Sequence, residues 1–410
     1  MEFKKHTLPN GLTIIGEVNK AAKSAGIGFF VRTGSRDETM DINGVSHFLE
    51  HMLFKGTETM GPLEVNQAFD KTGAQFNAFT SEESTVYYAA VLPEYLMEVA
   101  DLWMQLLRPA LRDEDFDIEK NVIKEEIAMY QDLPSFDVID RCRTLHYDGH
   151  PCGYSVLGSV ESIDALTADR MREYFSRRYA ADNCVLACAG NFDWQALCAL
   201  AEEKCSQWQA RQADRTLDDP AGSGRRERIT KKNLALEHIC LISKAASAQD
   251  PGRFAATLLG MIVGDDVGSR FFWELVDKAL AEAASLQHYA MDGTGMFCTY
   301  IRCGRKNVAQ VMDIVNGILR SLASDKITED ELQKAKNKIV SALVLKNELP
   351  MGRLLDMGMN WMYLQEHRTV EQDIDAIKSV TIQDIHDLTD AFDLSDFTQF
   401  AIGPEDGAGA

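Results

Sequence analysis

The sequence predicts an α+β protein of two homologous domains, each a mostly antiparallel sheet packed with helices. Three observations lead there. Short β-branched and aromatic runs alternate with longer amphipathic runs along the whole chain. The stretch from Gln209 to Glu227, with Asp218-Asp219-Pro220-Ala221-Gly222-Ser223-Gly224 at its centre, has little to bury and divides the 410 residues almost in half. The two halves also match each other. Glu119-Lys120-Asn121-Val122-Ile123 is followed, after ten intervening residues, by Pro134, and Ala335-Lys336-Asn337-Lys338-Ile339, after ten intervening residues, by Pro350, both at an offset of 216. Leu166-Thr167-Ala168-Asp169 matches Val380-Thr381-Ile382-Gln383 at an offset of 214. Order and spacing are kept, so we read a duplication with domains at 1–208 and 228–410 and a linker at 209–227.

The elements follow in order. Thr7 to Ile15 reads as a hairpin around the Asn10-Gly11 turn, and Ala25 to Val31 as a buried strand. A polar loop, Arg32 to Asn43, leads into a helix starting at Gly44. Pro62 to Lys71 is a second helix, with Gly73 suited to its C-terminal cap. Gln75–Thr80 and Ser84–Val91 are strands. Leu92 to Leu107 is amphipathic and is stopped by Pro109. Asp113 to Tyr130 is a long helix, and Asn183 to Gly190 another buried strand.

Composition excludes several function classes. With 42 basic and 63 acidic residues the formal charge is 42 − 63 = −21, which argues against nucleic acid and anionic membranes as partners. No run of about 18 apolar residues occurs, so no membrane span is expected. Met1 to His6 lacks an apolar signal core, and the nine cysteines are scattered and odd in number. The expectation is a reducing, cytoplasmic compartment with free thiols, the periplasm remaining open.

The chain is organised around Gly44-Val45-Ser46-His47-Phe48-Leu49-Glu50-His51-Met52-Leu53-Phe54. At about 100° per residue, His51 lies about 40° from His47 on one side and Glu50 about 60° on the other. Two imidazoles at i and i+4 reach one zinc ion, and Glu50 beside them is placed to take a proton from water. Three ionisable groups on an otherwise apolar helix are costly without a ligand. Zinc with two histidines needs a third protein ligand. The Asp113–Tyr130 helix offers Glu119, Glu125 and Glu126, of which Glu119 and Glu126 share a face. The duplicated positions hold Ala335 and Ala342, and the counterpart of the histidine helix is the apolar run Ala256 to Val263. Polar groups in one copy stand where the other is apolar, which separates a site from its framework.

His47-Phe48-Leu49-Glu50-His51 followed about 75 residues later by Glu126 resembles the inverzincin metallopeptidases of the pitrilysin type, the mitochondrial processing peptidase and its short bacterial relatives among them. Gly44 to Gly56, Asn77 to Tyr87, Glu119 to Pro134, and Gly149 to Gly153 with Leu157-Gly158 carry the resemblance, which covers most of the chain. It implies one zinc per chain on His47, His51 and Glu126, with Glu50 as base and Glu119 as an acid beside the site. It also implies that Asn77, Ala78, Phe79 and Thr80 form a strand edge that pairs with an extended peptide, the two domains facing each other across a substrate cavity. Ser269-Arg270-Phe271-Phe272 resembles the family's Ser-Arg-Leu-Phe signal at the start of a helix. An arginine and a tyrosine expected six and twelve residues after Arg270 are replaced by Val276 and Glu282, and the loop before it carries Asp265 and Asp266. The resemblance therefore implies a zinc endopeptidase that works as the catalytic subunit of a heterodimer. A homologous partner would supply the arginine and tyrosine, and pairing with a second copy of the chain is the other arrangement. The alternative is a structural or peptide-binding subunit of the same fold.

Overall fold

The computed structural model describes residues 2–322 and 327–405. The first half contains β1 (Glu2–Thr7), β2 (Thr13–Val18), β3 (Ala25–Val31), α1 (Val45–Leu53), α2 (Pro62–Thr72), β4 (Gln75–Thr80), β5 (Thr85–Val91), α3 (Leu96–Leu106), α4 (Asp113–Gln131), α5 (Pro134–Tyr147), α6 (Val160–Ala165), α7 (Ala168–Arg178), β6 (Cys184–Gly190) and α8 (Trp194–Cys205). The second contains β7 (Arg226–Thr230), β8 (Leu236–Lys244), α9 (Arg253–Gly264), β9 (Ala283–Ala290), β10 (Gly295–Gly304), α10 (Val308–Ser321), α11 (Glu329–Asn347), α12 (Pro350–Leu364), α13 (Val370–Ser379), α14 (Ile382–Ala391) and β11 (Thr398–Gly403).

The predicted elements of the first half are present, with local adjustments. The amphipathic run from Leu92 opens as a single 3-10 turn, Pro93–Tyr95, before α3. Gly73 closes α2 with φ 63°, a left-handed cap that glycine adopts without strain. The Ser269–Phe272 signal leads into one π-helical turn, Phe272–Val276, in place of a regular helix.

The sheets repeat one topology. The first runs β1-β2-β6-β3-β5-β4 and the second β7-β11-β8-β10-β9. In each, one parallel pair (β2 with β6, β7 with β11) sits beside antiparallel pairs. The second sheet is thus the first without its outer strand β1. Thr167 and Thr381, matched in sequence, both cap helices, accepting from the N–H groups of Arg170 and Asp384.

Two compact units result. The first comprises residues 1–128, 154–216 and 344–368; the second comprises 129–153, 217–343 and 369–410. Each unit therefore takes one helix from the other half of the sequence. In the first unit α12 lies on the sheet, Leu354 and Met357 packing with Phe30, Val86, Val185 and Ala187. Gly358 meets the Phe30 ring so closely that a Cβ there would stand 2.1 Å from it, so the helix can only seat here with glycine at this position. Helices α1 and α3 cover the opposite face. Alternation along β3 and β5 divides the two faces, with Tyr87 turned to Trp103 of α3 and Phe30 to α12. In the second unit α5 lies on its sheet, Val138, Cys142 and Leu145 packing with Cys240, Ile242, Phe400 and Ile402.

The stretch read from composition as a linker is bonded along its length. In the first unit Arg215 Nε and Nη2 reach the two oxygens of Asp37 at 2.9 and 2.6 Å. In the second, Lys244 pairs with Asp219 at 2.6 Å and Ser223 N–H donates to the His146 carbonyl at 2.9 Å. Its last two residues, Arg226 and Glu227, begin β7. All nine cysteines are free. Among the described residues no helix is long and apolar enough to cross a membrane.

Candidate metal centre

The site lies wholly within the first unit, where α1 meets α4 and the end of β4. Helix α1 starts abruptly because Gly44 takes φ 95°, where a side chain would collide with the Leu157 carbonyl. Gly44 has no side chain to cap the helix, and the buried carboxylate of Glu38 does so instead. Its Oε2 accepts from Gly44 N–H at 2.7 Å and Asn43 Nδ2 at 2.8 Å, and its Oε1 from Ser46 N–H at 2.7 Å. Burial pushes Glu38 up to about 7 against these hydrogen bonds, which favour its charged form. The neighbouring residues tie the loop down. Arg36 pairs with Glu83 at 2.5 Å, and Asp37 meets both Arg178 and Arg215. The histidine helix thus starts from a buried frame of hydrogen bonds and ion pairs.

The metal-ligand candidates converge. One ligand atom each from His47, His51 and Glu126 lies within 4.8 Å of the others. Glu126 Oε2 is 3.8 Å from His47 Nε2 and 3.4 Å from His51 Nε2. An ion bound tetrahedrally at about 2.0–2.2 Å sets its ligand atoms roughly 3.3–3.6 Å apart, and both carboxylate–imidazole separations lie close to that spacing. His47 is 8% exposed and its Nδ1 has no hydrogen-bond partner among the described residues. Burial, and then the nearby His51, push its pKa down to about 3, with Glu119 acting weakly the other way. The ring is therefore neutral, as a metal ligand must be.

His51 is held differently. Its Nδ1 lies 2.8 Å from Glu119 Oε1, which turns Nε2 toward Glu126. Burial pulls the His51 pKa down, but the Glu119 hydrogen bond and the charges of Glu126, Glu119 and Glu50 outweigh it and leave the pKa above its ordinary value. Glu119 is 4% exposed and forms an ion pair at 2.5 Å with Lys55 Nζ. Burial would raise Glu119, yet His51 and Lys55 hold its carboxyl below the usual range. Lys55, absent from the sequence reading, thus anchors the residue that orients His51. Its spacing of four from His51 is the one signal that could have found it, and Arg215 and Glu38 carry none.

Glu50 sits beside this group. Burial raises its pKa, while a hydrogen bond from Thr80 and the charge of His51 oppose the rise. Asn77, Ala78, Phe79 and Thr80 all lie on β4, the edge strand, whose one sheet neighbour is β5. Asn77 is exposed and Phe79 packs toward the α12 face. Thr80 turns to α1, where its Oγ1 donates to Glu50 Oε2 at 2.6 Å.

At the duplicated positions Ala335 is buried in the second core and α9 is apolar, so the second unit has no counterpart of these donors there. Val276 packs against that same core, and Glu282 pairs with Arg302 at 3.3 Å.

Residues 13–160 match the profile of the insulinase family of peptidases, M16, and residues 165–339 match that of the peptidase M16 inactive domain. A zinc protease of Bacillus subtilis is 32% identical over 405 residues, 98% of each chain. The chain belongs to the M16 peptidase family. Its likeness extends to another M16 relative, the beta subunit of the mitochondrial-processing peptidase of Saccharomyces cerevisiae, at 29% identity over 92% of this chain and 86% of that one. A protease from Helicobacter pylori has the same fold, with a TM-score of 0.89 at 20% identity over 98% and 99% of the two chains. His47, Glu50, His51, Glu119 and Glu126 all fall within the stretch that matches the peptidase profile, and α9 and Ala335 within the stretch that matches the inactive-domain profile.

Proposed function

We propose that the chain is a zinc endopeptidase that hydrolyses extended or unfolded peptides, and that it is the zinc-bearing subunit of a two-chain enzyme. One observation carries the reading. Two imidazole nitrogens and a carboxylate oxygen converge within 4.8 Å beside a half-buried glutamate and an open strand edge. His47, His51 and Glu126 would hold one zinc ion. When bound, the ion supplies Lewis-acid polarisation of a carbonyl and acidification of water.

The chain's own residues do the rest. The β4 edge has no strand on its outer side, where the Ala78 N–H is met by Asn77 Oδ1, and takes an extended peptide as an added strand, which selects against folded substrates. Glu50 accepts a proton from the attacking water and returns it to the leaving amine. Its raised pKa brings the two protonation states closer in energy, as a group that both takes and gives a proton requires. Glu119 and Lys55 keep His51 in the tautomer that presents Nε2.

The two-chain part rests on Val276 and Glu282. Both side chains are engaged within the second unit, one in the core and one in an ion pair, and neither offers the arginine or tyrosine chemistry that would hold a peptide's main chain. Misplacing a scissile bond by about 1 Å costs on the order of 10²-fold in rate. The test is hydrolysis of unstructured peptides by the zinc-loaded chain alone, and then with a homologous chain that carries the arginine and tyrosine. We expect weak turnover alone and strong turnover together. Full activity alone, unchanged by the second chain, refutes the two-chain reading. No hydrolysis in either case favours the non-hydrolytic subunit.

A further inference from the structure

We propose that Thr80 is a positioning residue that holds the base Glu50 in its working orientation and ties it to the strand that receives the peptide. The inference rests on the peptidase reading above and changes the role the sequence suggested for Thr80, which was contact with substrate. Its hydroxyl is already committed. Oγ1 donates to Glu50 Oε2 at 2.6 Å, a short hydrogen bond to a carboxylate. Among the described residues no other side chain or backbone group bonds to Glu50, so Oε1 is the oxygen left to meet water.

Geometry explains why a single bond decides so much. Glu50 lies beside His51 and Glu126, and its one hydrogen-bond partner among the described residues is Thr80. A charge-assisted hydrogen bond is strong enough to offset the conformational entropy of a glutamate side chain and select one rotamer. Thr80 is itself rigid. It is β-branched, it ends β4, and it is fixed in register opposite Thr85. Alternation along the strand sends Thr80 and Ala78 to the α1 side and leaves the outer backbone edge for a peptide. A peptide that pairs with β4 therefore stiffens the segment that holds the base, and correct base geometry and substrate docking share one support.

The test compares Thr80→Val, which keeps shape and strand propensity but deletes the donor, with Thr80→Ser, which keeps the donor. Zinc content, kcat and KM on an unstructured peptide are measured in whichever assembly turns over, and zinc-loaded crystal structures of the wild type and both variants are compared. We expect Thr80→Val to keep zinc and KM within about twofold while kcat falls about tenfold to a hundredfold. We expect Thr80→Ser to recover most of the rate, and Glu50 to leave its position only in the valine variant. A rise in KM with kcat unchanged, or Glu50 in the same orientation without the hydroxyl, overturns the assignment. If the wild type cleaves nothing in any assembly, the peptidase reading fails while the crystal comparison still decides whether Thr80 holds Glu50.

Discussion

Glu119→Gln isolates the orientation of a metal ligand from the ligand itself. Glu119 accepts from His51 Nδ1 at 2.8 Å and meets Lys55 Nζ at 2.5 Å, and it is almost fully buried. Glutamine has nearly the same shape but only one accepting oxygen. If that oxygen serves His51, the amide NH2 points at the Lys55 ammonium, donor against donor; if it serves Lys55, the NH2 opposes the Nδ1 donor. One of the two contacts must be lost. Lys55 is 28% exposed and can turn into water, so its loss is discounted for screening and His51 keeps the better share. Partners of this kind contribute about 10–100-fold to metal affinity, or roughly 1.4–2.8 kcal/mol. We expect the lower half of that range for Glu119→Gln and the upper half for Glu119→Ala, which also leaves a buried cavity. The assay is zinc competition against a chromogenic chelator at pH 7.5. A Kd within twofold of wild type, or total loss of zinc with the fold intact, refutes the reasoning, since the first makes Glu119 irrelevant and the second makes it a ligand.

Other outcomes follow from the same geometry. His51→Ala removes one of three protein ligands and should leave no stoichiometric zinc after dialysis against a mild chelator, as read by metal analysis. Glu50→Gln should retain zinc and the wild-type melting temperature but lose nearly all peptide turnover, because it deletes a proton acceptor and spares the ligands. Glu17 and Arg353 form a buried pair at 2.7 and 2.5 Å that seats α12 on β2, so Glu17→Gln should cost about 3–5 kcal/mol in urea unfolding. Burial would raise the Glu17 pKa, but Arg353 and His367 hold it below 4.5; its stabilisation is therefore complete above that value and disappears as pH falls through the depressed folded pKa. The gap between wild type and Glu17→Gln should narrow in that acidic window, and a gap that widens there would contradict the assignment.

The exchange of α5 and α12 has a physical cause that local sequence hides. Both helices begin at a proline matched between the halves, and both are amphipathic. What selects the sheet is fit, with Gly358 over Phe30 in one case and Cys142 between strands β8 and β11 in the other.

By itself the sequence determined whatever is periodic or local. The strands and helices of the first half follow from hydrophobic period and from Gly and Pro punctuation, and the duplication follows from matched spacing. His47, Glu50 and His51 share a face because 3.6 residues make a turn, and Glu126 was one of three acids that a helix could present. Tertiary structure decided what depends on contacts between residues distant along the chain. It brought Glu126 to within 3.4 Å of His51, chose Glu119 for Nδ1, and placed Lys55 behind it. It set Glu38 on the N-terminus of α1 and drew Arg215, from a stretch that composition reads as a linker, onto Asp37. It also turned the Thr80 hydroxyl to Glu50. Hydrogen bonds and ion pairs act over about 3 Å between single atoms, and no periodicity encodes which atoms the packed elements will bring that close.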